Sequence, residues 1–184
     1  MRTLACLLLC CAAHAATMRY WVEPCGQPKS GCHPGDPQLA EWALEAWQNA
    51  SAGELKLQKV GEEKQANIRV YWANGNQGLY GETRPILVGG QRGAEVYVLP
   101  ETGASSDPLL REAIVYLTCL HETGHALGLS HTAAFADIMY SFSYGGDIPE
   151  YFGRYRRQLM TRVDIQRHAG MSEADRQRLI ALYR

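Results

Sequence analysis

The chain has 184 residues, 46% of them hydrophobic and 20% charged, with a formal net charge of -1. Those values suit one globular domain and exclude a disordered tail, a fibre or two comfortable domains. So balanced a charge gives no global pull toward nucleic acid or an anionic membrane, and neither is expected as a partner.

Residues 1–15 read as a signal peptide. Arg2 supplies the positive start, Leu4 to Ala13 a short apolar core, and Ala13-His14-Ala15 a small-x-small cleavage pattern. The run is too short to span a bilayer as a mature helix. A secreted product, extracellular or periplasmic, is therefore expected over residues 16–184. Export would remove Cys6, Cys10 and Cys11, leaving Cys25, Cys32 and Cys119. An oxidising compartment favours a Cys25–Cys32 disulfide across a Gly/Pro-rich loop. Such a closure stabilises a fold by roughly 2–3 kcal/mol on the loop-entropy argument. Cys119, inside the apolar run Ile114 to Leu120, reads as a small buried hydrophobe.

Met18 to Val22 reads as the first strand. Asp36-Pro37 reads as an N-cap and first-turn proline, opening a helix with Leu39, Trp42, Ala43, Ala46 and Trp47 on one stripe. Leu55 and Leu57, then Ile68, Val70 and Trp72, alternate as two half-buried strands. Residues 73–93, rich in Gly and Asn, read as a long surface loop, followed by a strand over Ala94 to Leu99. Asp107-Pro108 repeats the cap-and-proline signal and opens a long helix running to about Leu127. In Tyr144 to Gly170, Tyr151, Phe152, Tyr155, Leu159 and Val163 fall near one helical face, with Arg154, Arg156 and Arg157 off it. Those arginines suit either a solvated face or the border of a substrate cleft. The order implies an α/β (α+β) layer, a mixed twisted sheet with two long helices above a cleft, and a small helical lower half.

The chemistry lies at the end of the second long helix, in His121-Glu122-Thr123-Gly124-His125-Ala126-Leu127-Gly128-Leu129-Ser130-His131. Histidines four apart share one helix face and can reach a single metal ion. Glu122, one residue round, can reach a reacting water without itself being a ligand. Gly128 permits the turn that returns His131 to complete a three-nitrogen set with an open fourth position, which suits one catalytic zinc. A lone histidine carries no such meaning; the eleven-residue form is far more demanding. His33 and His168 lack any motif context.

These residues resemble the metzincin metallopeptidases, and within them the matrixins. Met139, in Asp137-Ile138-Met139-Tyr140, looks like the Met-turn beneath the metal in that family. Thr132 after the third histidine, Tyr140 after the methionine and the Ser172-capped final segment are matrixin-like. Tyr20, the Trp47 helix and Ala66-Asn67-Ile68 look like the family's opening. The resemblance implies a zincin-like catalytic domain over residues 16–184, a zinc-dependent endopeptidase acting on protein or peptide substrates, with Glu122 as general base. A monomer is expected. The alternatives are a catalytically silent zinc-containing module that binds peptides in the same cleft, and an amidase or deformylase of small substrates. Loss of Glu122 would mark the silent module, and Glu122 is present.

Departures from the family matter. Residues 73–93 contain no histidine, so the matrixins' structural zinc site is not expected, and with Glu82 the only acidic residue there calcium stays open. No prodomain fits ahead of the first strand. Pro24-Cys25-Gly26-Gln27-Pro28 is similar to the family's inhibitory cysteine segment but follows the first strand, so Cys25 is read as a disulfide partner. Ser141-Phe142-Ser143 replaces the family's wall after the Met-turn, so substrate preference cannot be carried over.

Overall fold

The structure, a computed structural model, describes residues 15–26, 31–74, 80–100 and 106–184. The signal-peptide assignment, except at Ala15, lies outside the described residues. The elements run β1 (Ala16–Val22), α1 (Asp36–Ala50), β2 (Leu55–Lys59), β3 (Ile68–Trp72), β4 (Gly81–Val88), β5 (Gln91–Val98), α2 (Pro108–Leu127), α3 (Ile148–Arg156), α4 (Asp164–Arg167) and α5 (Glu173–Tyr183).

The strands form one mixed sheet in the order β2-β1-β3-β5-β4, parallel except for the β4–β5 pair. Alternation in β3 puts Ile68, Val70 and Trp72 inward, and Ala94, Val96 and Val98 of β5 join them. On that face α1 packs against α2, which also contacts β4 and β5. The Trp47 indole N–H donates to the Leu120 carbonyl at 2.8 Å, fixing the two helices in register.

Two sequence expectations are corrected here. Residues 81–93 are not loop: Gly81–Val88 is an edge strand, joined to β5 through Gly89 and Gly90 with φ of 58° and 79°. Two consecutive positive φ angles meet the need of a tight hairpin turn. Pro85 obscures the strand in the sequence, yet an edge strand tolerates a missing N–H. Asp36 does not cap α1. Gly35 is the N-cap, and the Asp36 carboxylate accepts the His33 N–H at 2.8 Å and two Arg111 N–H groups at 2.6 and 2.7 Å. Asp107 caps α2 as expected, accepting from the Leu109 and Leu110 amides.

The lower half is helical but broken. Asp164 accepts the Met160 and Thr161 amides, so the chain turns between α3 and α4, and Val163 stands 51% exposed, off the apolar face expected for it. Tyr151, Phe152, Tyr155 and Leu159 are buried as expected. Arg156 pairs with Asp107 and Arg157 with Glu150. Among the described residues no helix is long and apolar enough to cross a membrane.

Candidate metal centre

Helix α2 carries His121, Glu122 and His125 in its last two turns. Gly128, with φ of 107°, ends the helix in the left-handed region, its N–H donating to the Gly124 and His125 carbonyls. That reversal brings His131 back over the helix. The Nε2 atom of His131 lies 3.2 Å from that of His121 and 3.1 Å from that of His125. A tetrahedral ion with zinc–nitrogen bonds near 2.0–2.1 Å separates its ligands by about 3.3 Å, close to this spacing.

The far side of each helical imidazole is pinned. His121 Nδ1 lies 2.6 Å from the Ile138 carbonyl and His125 Nδ1 2.8 Å from the Leu129 carbonyl. A carbonyl only accepts, so both Nδ1 atoms carry the proton and both Nε2 lone pairs face the centre. Burial, reinforced by the neighbouring imidazoles and opposed by the Ile138 carbonyl, lowers the His121 pKa to about 4. Burial also lowers that of His125. Both nitrogens are thus free of competing protons near neutrality. Lone pairs aimed at one another repel unless a cation lies between them, and nitrogen donors with this spacing fit zinc.

Met139 is fully buried beneath α2. A Cβ on Gly124 would come within 2.5 Å of Met139 Sδ and 3.0 Å of Trp47 Cζ2, so only glycine lets the methionine lie against the helix between the two histidines. The turn holding Met139 is itself clamped. Asp175 of α5 accepts the Ile138 N–H at 2.8 Å, Ser172 donates to Asp137, and Arg178 reaches both aspartates. The last helix therefore fixes the carbonyl that orients His121. Thr132 and Tyr140 form a bridge that ties the His131 loop to the same turn.

Glu122 is 7% exposed and faces β4. Thr83 Oγ1 lies 2.7 Å from its Oε2, and a Cβ on Gly81 would come within 2.7 Å of its Cγ. Burial pushes the Glu122 carboxyl up to about 7; the Thr83 hydroxyl pulls it down and Glu82 adds to the rise. Thr83 and Gly81 were not legible in the sequence, because nothing local shows that the Gly-rich stretch folds back over α2. β5 is flanked by β3 and β4, so at this end of the sheet β4 is the edge open to an added strand.

Cys25 and Cys32 are disulfide-bonded, and Cys119 is buried and free. Among the described residues, His121, His125 and His131 form the histidine cluster able to hold a metal, whereas His33 and His168 lie outside it. The other such cluster, Cys25, Cys32 and Asp36, has both sulfurs committed to the disulfide.

Fold and site together define a mixed α/β protein whose second long helix ends in a three-histidine centre over a buried methionine. Comparison with solved structures returns the same architecture. The chain is similar to archaemetzincin from Methanopyrus kandleri, with a TM-score of 0.51 and 14% identity over 95% of this chain and 98% of that one. The fold is therefore one that a metzincin also has. The sequence matches no protein-family model and no curated protein.

Proposed function

We propose that the chain is a zinc-dependent endopeptidase of matrixin-like type, exported by residues 1–15 and active as residues 16–184. The observation that carries this reading is the convergence of the His121 and His125 Nε2 atoms on that of His131, 3.2 and 3.1 Å away, beside a buried, hydrogen-bonded carboxylate. His121, His125 and His131 would hold the ion. Zinc bound there supplies Lewis acidity, which makes a water nucleophilic near neutral pH and polarises a peptide carbonyl.

The protein's own groups do the rest. The free edge of β4 offers backbone donors and acceptors to an extended peptide, and its Gly81 and Thr83 bring that edge against Glu122. Glu122 takes the proton of the attacking water at a carboxylate oxygen and delivers it to the leaving nitrogen. In the metal-free chain burial raises its pKa to about 7, and a cation held by the histidines would favour the carboxylate form that accepts the proton. The Asp175–Ile138–His121 chain keeps the first imidazole in place through the cycle.

The test is digestion of casein by the purified, zinc-loaded protein, with and without phenanthroline, beside Glu122→Gln. Cleavage within the chain, lost on chelation and in the variant, is expected. Zinc binding without cleavage by the wild type would instead identify a silent peptide-binding module.

A further inference from the structure

The lower half contains a second concave site. Elements α3, α4 and α5 border a cleft of about 600 Å³, a size that takes a small organic ligand. Leu117, Tyr151 and Tyr155 give it an apolar side, while Arg154, Arg167 and Arg176 outnumber its carboxylate, Glu173. Gly170, at φ 73°, brings backbone against that apolar side. A Cβ there would meet Leu117 at 2.9 Å and Tyr155 at 3.0 Å.

The charge pattern decides what the cleft can hold. Elsewhere in the lower half each arginine is cancelled: Arg156 by Asp107, Arg157 by Glu150, Arg162 by Glu112, Arg178 by Asp137 and Asp175. Arg167 has a looser pair with Asp164 at 3.4 Å. Arg154 and Arg176 differ. Among the described residues neither has a carboxylate oxygen within 4.0 Å, and both line this one cleft. Arg154 is instead stacked 4.5 Å over the Tyr151 ring and 4.9 Å over Phe135, and the Tyr151 hydroxyl and, from beyond 4.0 Å, the Glu150 carboxylate also act on it, so its charge is offset only in part. A planar guanidinium with its donors in one edge matches an oxyanion.

We propose that this cleft binds a small organic oxyanion, its apolar body against Leu117, Tyr151 and Tyr155 and its carboxylate or phosphate held by Arg154 and Arg176. No histidine of the metal centre lines the cleft, so the proposal stands independently of the peptidase reading. The two sites are nonetheless neighbours. The Tyr151 hydroxyl donates to the Ile138 carbonyl that orients His121.

The experiment is a chemical-shift titration of the zinc-loaded, nitrogen-15-labelled protein with phenyl phosphate, inorganic phosphate, benzoate and phenol. Saturable shifts of the Ala169 to Met171 amides are expected with phenyl phosphate or benzoate, weaker ones with inorganic phosphate and none with phenol. The stronger of the first two identifies the preferred headgroup. Arg154→Gln/Arg176→Gln should weaken the tighter ligand at least tenfold. Should that double change unfold the protein, Arg176→Gln alone, at an exposed position, should still weaken it at least threefold. Shifts confined to the His131 region, phenol binding as well as the anions, or equal binding by the variants would overturn the proposal.

Discussion

Replacing Glu122 by glutamine should stabilise the metal-free protein at alkaline pH while abolishing cleavage. The carboxyl is raised from 4.5 to about 7 in the folded chain, chiefly by burial. Below pH 4.5 it is protonated in both folded and unfolded states and contributes nothing. Between 4.5 and 7 the unfolded chain loses the proton while the folded one keeps it, so stability falls with rising pH. Above 7 the folded protein carries a buried carboxylate at the full penalty, about 3 kcal/mol for a displacement of this size. Glutamine has the same shape, accepts the Thr83 hydroxyl and carries no charge. Urea denaturation in chelator should therefore show Glu122→Gln more stable by about 3 kcal/mol at pH 8 and by under about 1 kcal/mol at pH 5. With an m-value near 2 kcal/mol/M, the midpoint at pH 8 should rise by about 1.5 M. Zinc should shrink the gain, because a nearby divalent cation favours the carboxylate. An unchanged midpoint at pH 8, or an equal rise at both pH values, would refute the burial argument.

Gly124→Ala forces a methyl into Met139 and Trp47 and should cost about 1–3 kcal/mol with weaker zinc binding, as read by thermal denaturation and a competitive zinc chelator. Thr83→Val removes the hydroxyl 2.7 Å from Glu122 and should lower kcat about tenfold or more with little change in KM, whereas Thr83→Ser should restore it, in steady-state assays on one peptide. Asp36→Asn leaves Arg111 facing a neutral group at a site where the aspartate is 1% exposed, and should destabilise by about 3–5 kcal/mol in urea titrations.

The convergence of the three histidines was legible because local backbone geometry decides it. His121 and His125 share a face at four-residue spacing, Gly128 is needed for the left-handed turn, and His131 follows within reach. Met139 was legible only through the family resemblance, since a buried methionine has no chemistry of its own to declare. Partners brought by distant chain were not legible. Thr83 reaches Glu122 because β4 folds back over α2, and β4 was hidden by its glycines and Pro85. Asp36 and Asp107 both precede proline, yet only Asp107 caps its helix. Arg111, 75 residues away, engages Asp36 instead, and sequence periodicity has no term for such a contact. The single helix suggested after Tyr144 fails for a local reason, the Asp164 carboxylate taking the Met160 and Thr161 amides that a continuous helix would need.

Zinc K-edge X-ray absorption on the protein loaded with zinc, paired with elemental analysis, tests the central claim most directly. One zinc per chain is predicted, with three imidazole nitrogens and one further light atom near 2.0–2.1 Å. The nitrogen shell should lose one scatterer in His131→Ala. A sulfur shell near 2.3 Å, or a first shell unchanged by His131→Ala, would contradict the account.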